Sequence, residues 1–151
     1  MDTESRYVIK FLETLADSEL ELGELARRLR SRPDVVSSFC SLDCSKYQHL
    51  FRYPTPVALV TIEGYVDIEL RNGKRIAWWL EVNWNDEQWI IESCVLLNDN
   101  QGQNIQEAIK EFPDRTAETL DECIEQLSKA ISDLVNSADS VIESMTDVSA
   151  G

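Results

Sequence analysis

At 151 residues the chain is long enough to bury a hydrophobic core without disulfides or metals, and its composition is that of a globular protein. Most of its formal net charge of −14 lies in residues 54–151, where six basic and nineteen acidic residues give a net charge of −13. Such a surface repels nucleic acid and anionic membranes and favours basic partners.

The cysteine content and the apolar runs bear on the expected compartment. The first ten residues mix charges without an apolar stretch, and no apolar run approaches the ~20 residues of a membrane span. We therefore expect a cytoplasmic protein whose cysteines are reduced thiols. These are Cys40, Cys44, Cys94 and Cys123.

Three helices are predicted before the sheet, within about residues 5–40. The apolar spacing of residues 8–15 indicates the first helix. Ser18 with Glu21 forms a capping box that opens the second, and Pro33 suits the start of a short third helix. The apolar residues of this third helix are Val35, Val36 and Phe39.

Part of this region resembles a helix-turn-helix motif. Residues 24–29, Glu-Leu-Ala-Arg-Arg-Leu, resemble its first helix, and residues 32–37, Arg-Pro-Asp-Val-Val-Ser, resemble the turn and the start of the recognition helix. The resemblance implies a DNA-binding regulator, which is the third functional hypothesis. The recognition helix would carry no Arg, Lys, Asn or Gln to reach base edges, so we expect no specific nucleic-acid binding. It would present Asp34, Ser37, Ser38 and Cys40.

A three-stranded antiparallel sheet is predicted within about residues 57–97, after a long connection over Ser41–Pro56. Here the apolar period changes from 3.6 to 2, and short turns separate three alternating segments. A three-residue turn, Arg71–Gly73, keeps core residues opposite core residues, whereas a two-residue turn would not. Gly73 then supplies the left-handed conformation that closes the turn.

These registers predict a row of three carboxylates, from Glu63, Glu81 and Glu92, on the sheet face away from the core. Tyr65 and Trp79 lie in the next row. Directly opposed like charges are destabilising, and aromatic rings attract cations, so we predict that a basic group of a partner docks here. The alternatives are a solvated surface, or neutralisation by the chain's own arginines at positions 27, 28, 30 and 32.

Two more helices are predicted within about residues 104–145. The short one ends at Pro113, and the long one runs from a cap at Asp114 or Thr116 to about Met145. Apolar residues of the long helix follow a heptad spacing, which predicts a homodimer through this helix. Packing against the sheet is the alternative explanation for so broad a stripe. The predicted interface residues are Leu120, Ile124, Leu127, Ile131, Leu134 and Val141.

The whole chain, 1–151, is predicted to be one α+β domain with N-terminal helices, a meander sheet and two C-terminal helices. The leading functional hypothesis is a non-enzymatic interaction or adaptor protein, homodimeric, with a basic protein partner. No catalytic residue, metal or cofactor is predicted, because the cysteines and His49 match no zinc spacing and no nucleophile motif occurs. The alternative is a small-molecule-binding domain or enzyme with a pocket between sheet and helices. That pocket would be lined by Trp78, Trp84 and Trp89.

Overall fold

Two long helices lie side by side on one face of a six-stranded antiparallel sheet. The computed structural model describes residues 3–44, 61–84, 88–98 and 106–147. The strand order is β1-β2-β3-β4-β5, and β6 pairs with the same edge of β4 as β5 does. The elements are α1 Thr3–Arg30, β1 Val35–Cys44, β2 Thr61–Leu70, β3 Arg75–Trp84, β4 Trp89–Asn98, β5 Gln106–Glu111, β6 Arg115–Ala117 and α2 Leu120–Asp147.

The central meander, β2 to β4, has the predicted register. Gly73 has φ 88°, and its N–H donates to the carbonyl of Leu70 at 2.9 Å, which closes the three-residue turn. Ile68 then faces Ile76 across β2 and β3. Because this register sets the alternation of every following residue, it also determines which side chains lie on the face away from the helices.

The first helix is continuous, so the two predicted helices over this segment are wrong. Ser18 lies inside α1 with a buried side chain and does not begin a second helix. It occupies a buried position between Leu15 and Leu22 on the face of α1 that packs on the core. A small polar residue buried inside a helix gives the same sequence pattern as a helix cap, which explains the error.

The predicted third helix is instead an edge strand. Residues 31–34 form a turn, and from Val35 the chain pairs antiparallel with β2. Two inward positions of β1 carry the small side chains of Ser38 and Cys40, between the core residues Val35 and Leu42, while the large Phe39 points outward and is 57% exposed. Alternation is therefore weak in the sequence, and pairing with the edge of β2 determines the conformation.

This strand removes the structural basis of the helix-turn-helix resemblance, because no recognition helix follows the turn at residues 31–34. It also shortens the predicted connection over Ser41–Pro56, since Ser41–Cys44 belongs to β1. The remainder of that connection, with His49, lies outside the described residues.

The predicted short helix before Pro113 is also a strand, β5, which pairs with the second half of β4. A shift in register between Val95 and Leu96 points Ile109 toward the core, while Ala108 is exposed. This bulge interrupts the alternation and imitates helical spacing.

The last helix, α2, begins later than predicted because β6 occupies Arg115–Ala117. Its cap is Thr119, whose hydroxyl oxygen accepts the backbone N–H of Glu122 at 3.2 Å, and the predicted caps at Asp114 and Thr116 are wrong.

The helices run parallel to each other. Lys10 pairs with Asp121 near their N-terminal ends, and Arg28 pairs with Asp139 at 3.5 Å toward their C-terminal ends. At the C-terminus of α2, Asn72 and Lys74 of the turn between β2 and β3 donate to the carbonyl of Met145, each at 3.3 Å. These contacts satisfy a helix-end carbonyl that has no partner within the helix.

The apolar stripe of α2 is part of the core of the chain itself. Leu127, Ile131, Leu134 and Val141 are at most 6% exposed, and they pack on the sheet. In the single chain these four side chains are therefore covered by its own core, and a subunit interface through them stays a prediction. Leu120 and Ile124, at the start of α2, are half-buried. Whether the protein forms a dimer through another surface stays a prediction.

The tryptophans predicted to line a pocket are core residues where their side chains are described. Trp78 is fully buried, and its indole N–H donates to Ser137 of α2 at 3.2 Å. Trp89 is 8% exposed and lies 6.3 Å from the ring of Phe11. The side chain of Trp84 lies outside the described part of the chain.

Of the described helices, none is long and apolar enough to cross a membrane.

Candidate docking face on the open side of the sheet

We call the sheet side away from α1 and α2 the outer face. The buried residues of β2, β3 and β4 point to the helices, and the intervening residues point to the outer face. None of the described helices packs there, because α1 contacts β1 and β2 while α2 contacts β3, β4 and β6 from the core side. Most of the described side chains on the outer face are half-buried.

The predicted carboxylate row exists in the backbone register, and it is longer than predicted. Glu63 faces Glu81, and Glu81 faces Glu92, as the turns required. The edge strand adds a fourth member, because Asp43 of β1 faces Glu63. The sequence pattern predicts a long connection from Ser41 onward and therefore does not place Asp43 in the row. The carboxylate row thus crosses four adjacent strands and consists of Asp43, Glu63, Glu81 and Glu92.

Within the described part of the chain, two of these carboxylates accept a side-chain hydrogen bond, and both donors are neutral. Trp79 donates its indole N–H to Glu63 at 3.1 Å, and Asn83 donates its side-chain amide to Glu81 at 2.9 Å. Within the described ranges no ion pair involves a member of the carboxylate row. Neighbouring positions across strands are about 5 Å apart, so the row concentrates negative charge along a line that crosses β1 to β4 on the outer face.

The arginines that could have neutralised the row are used elsewhere. Arg27 pairs with Glu24 on its own helix, and Arg28 and Arg32 pair with Asp139 of α2. Arg30 donates to the backbone carbonyl of Ser38. Neutralisation by this cluster is therefore wrong, since the described partners of all four arginines lie outside the carboxylate row.

An aromatic group lies beside the carboxylate row. Tyr65 faces Trp79 across β2 and β3, as predicted, and Phe39 of β1 lies 5.9 Å from Tyr65 with the two rings tilted by 51°. We call Phe39, Tyr65 and Trp79 the aromatic group. Such rings provide apolar contact area, and their faces attract cations. The sequence pattern predicts a helix at Phe39 and therefore does not place this residue on the outer face.

A further acidic residue, Asp67, lies on the other side of the aromatic group from the carboxylate row. It is flanked by Phe39 of β1 and by Ala77 of β3. Its Oδ1 atom is closed off from solvent and has no hydrogen-bond partner among the described residues. Burial raises the pKa of this carboxyl group, the positive charge of Arg75 opposes that rise, and the negative charge of Glu69 adds to it.

The outer face also carries a thiol, that of Cys94, whose pKa is raised. Cys94 faces both Trp79 and Glu111. Burial raises the pKa of its thiol, and the carboxylates of Glu111 and Glu92 raise it further. A thiol with a raised pKa stays protonated at neutral pH and is a poor nucleophile.

The arrangement can hold cationic and apolar groups together. In the described ranges no group of three His, Cys, Asp or Glu side chains is placed to bind a metal ion. Comparison of the chain with protein-family models, curated proteins and solved structures found no significant match.

Proposed function

We propose that this protein is a non-enzymatic interaction module that binds a basic segment of a partner protein on the outer face of its sheet. The observation that carries the proposal is the carboxylate row, whose like charges face one another across four strands without an ion pair in the described residues. A cationic partner relieves that repulsion, so charge complementarity selects a basic occupant.

The aromatic group supports a protein partner over a free cation. Phe39 is 57% exposed, and Tyr65 and Trp79 lie next to the charged row. Interfaces between proteins combine apolar contact at their centre with charged groups at the rim. An arginine or lysine side chain satisfies both parts, since its stem packs on a ring while its head reaches a carboxylate.

The test uses a capped hexa-arginine peptide as probe and nuclear magnetic resonance titration of the labelled protein. The double variant Glu81→Gln with Glu92→Gln should weaken binding about three- to tenfold, as expected for two partly exposed charge pairs. Its matched control, Glu13→Gln with Glu143→Gln, removes two charges from exposed positions on α1 and α2. The control should change the affinity less than twofold.

Two results would contradict the proposal. Equal weakening by the two double variants would mean that the peptide senses net charge and not this face. Tighter binding by a variant with Lys46→Gln and Arg52→Gln would mean that cations of the chain itself, from outside the described residues, occupy the carboxylate row.

A further inference from the structure

The outer face of β2 alternates acid and aromatic side chains in a defined order. Glu63, Tyr65 and Asp67 follow one another on the same face of this strand. Positions four residues apart on a strand are about 13 Å apart, since each residue advances the chain by about 3.3 Å. Two acidic positions therefore flank an aromatic position, and their separation equals that of side chains four residues apart in an extended peptide.

Asp67 differs from the carboxylate row because the residues directly paired with it on both neighbouring strands are apolar. Phe39 of β1 pairs with it on one side, and Ala77 of β3, with its small side chain, pairs with it on the other. Arg75, the nearest cation in the described residues, is paired with Glu69 at 4.0 Å. Asp67 itself forms no ion pair in the described residues, and one of its oxygens is buried without a donor.

A carboxylate oxygen that is buried without a donor is costly, and a cation that binds the same carboxylate offsets part of that cost. An ionic contact in an apolar setting is also stronger than one in water, because it is less screened. Asp67 is therefore a second anchor for a cation, separated from the carboxylate row by the aromatic group.

We infer that the partner segment is an extended strand-like peptide with the pattern basic-x-apolar-x-basic, lying along β2. One basic side chain binds at the carboxylate row near Glu63, the apolar side chain packs on Tyr65 and Trp79, and the second basic side chain binds Asp67. The side chains of an extended peptide at positions i, i+2 and i+4 point to one face at the same 3.3 Å rise as those of the sheet. This inference rests on the proposed function and assigns its recognition pattern.

Protonation of Asp67 is coupled to this contact. The charged or titratable groups that face it are Tyr65 and Glu69 of its own strand and Arg75 of β3, while β1 presents Phe39, Ser37 and Ser41. A docked cation favours the ionised form, so binding releases a proton wherever Asp67 is protonated in the free protein. The contribution of Asp67 to affinity should therefore decrease as the pH falls.

The experiment compares two capped peptides of equal composition by resonance titration at neutral pH. The spaced peptide is Gly-Arg-Ser-Leu-Ser-Arg-Gly, and the clustered peptide is Gly-Arg-Arg-Leu-Ser-Ser-Gly. The wild-type protein should bind the spaced peptide about fivefold tighter than the clustered peptide. This difference is the one expected for one additional well-placed ionic contact. Shifts should centre on Glu63, Tyr65, Asp67 and Trp79.

Asp67→Asn should remove the preference for the spaced peptide, while Glu81→Gln should weaken both peptides. The control Glu13→Gln, which removes one charge from the exposed side of α1, should preserve the preference.

The recognition pattern would be overturned if the wild-type protein bound both peptides equally, or if Asp67→Asn still preferred the spaced peptide. The proposed function would still stand in either case, provided that Glu81→Gln weakens binding. Insensitivity of both peptides to Glu81→Gln would overturn the proposed function itself. Tighter binding by a helical peptide with arginines about eight residues apart, which spans a similar distance, would overturn the extended mode.

Discussion

Trp79 donates its indole N–H to Oε1 of Glu63 at 3.1 Å on the outer face of the sheet, joining the aromatic group to the carboxylate row. This bond crosses from β3 to β2, diagonally to the pairs that the register sets directly opposite. It orients the carboxylate of Glu63 along the edge of the aromatic ring. A cation docked at this carboxylate would therefore contact the aromatic group as well.

The contribution of this bond can be separated from that of the ring. Trp79→Phe keeps an aromatic ring but removes the donor, so affinity for the spaced peptide should fall about twofold, as for one weak polar contact. Trp79→Ala removes both and should cost about tenfold, as is typical of an aromatic residue at the centre of an interface. Titration of both variants measures the difference. An equal loss in the two variants would mean that the bond, and not the ring, matters.

Asp67 should make the folded protein less stable at neutral pH than an uncharged residue would. Burial raises the pKa of Asp67 above its unfolded value, so between the two pKa values the folded chain holds more protons than the unfolded chain does. The free energy of unfolding therefore falls as the pH rises through that window.

Asp67→Asn should accordingly stabilise the protein at pH 7, by up to about 1 kcal/mol once solvent screening of this half-buried group is considered. The gain should shrink toward pH 4, near the unfolded pKa. Urea denaturation of both proteins across this pH range measures it. A variant that is less stable than wild type at pH 7 would contradict the interpretation of Asp67 as an uncompensated carboxylate.

The core hydrogen bond between Trp78 and Ser137 should contribute measurably to stability. The indole N–H of Trp78 donates to the Ser137 hydroxyl, which itself donates to the carbonyl of Leu134 at 2.8 Å. Ser137→Ala leaves the buried N–H without an acceptor and should cost about 1–3 kcal/mol.

The matched control is Ser140→Ala, one turn further along α2 and exposed to solvent, which should cost less than about 0.5 kcal/mol. Denaturant unfolding measures both variants. Combining Ser137→Ala with Trp78→Phe should cost less than the sum of the single changes, because the two side chains share one bond. Additive losses would show that the bond contributes nothing.

The apolar stripe of α2 should act within one chain and not between subunits. Leu134 is fully buried, so Leu134→Ala should cost about 2–5 kcal/mol. That loss should be the same at low and high protein concentration, whereas the stability of a subunit interface depends on concentration.

Leu20→Ala is the control, since Leu20 is 71% exposed on α1 and its truncation should have little effect on stability. Chemical denaturation at two protein concentrations, with light scattering for the mass, tests both variants. A dimer that dissociates to folded monomers in Leu134→Ala would support the original interface prediction.

The sequence by itself determined the meander and the order of residues on its two faces. Alternation along β2 to β4 assigned each side chain to a face, and the conformation that Gly73 permits fixed the register of the first turn. Together these local rules placed Glu63, Glu81 and Glu92 opposite one another, because a register shift of one residue would expose the whole core face. The negative charge and the long last helix were also readable from the sequence.

Only the tertiary structure decided that β1 and β5 are strands and that the apolar stripe of α2 packs on the sheet. The segments of β1 and β5 have weak or interrupted alternation, and they are strands because the edges of β2 and β4 offer them backbone hydrogen bonds. The heptad of α2 fits a coiled coil or a sheet equally well, and the apolar face of this sheet is the partner that the chain supplies. Asp43 and Phe39 joined the outer face by the same edge pairing, which depends on residues distant in the sequence and therefore leaves no local signal.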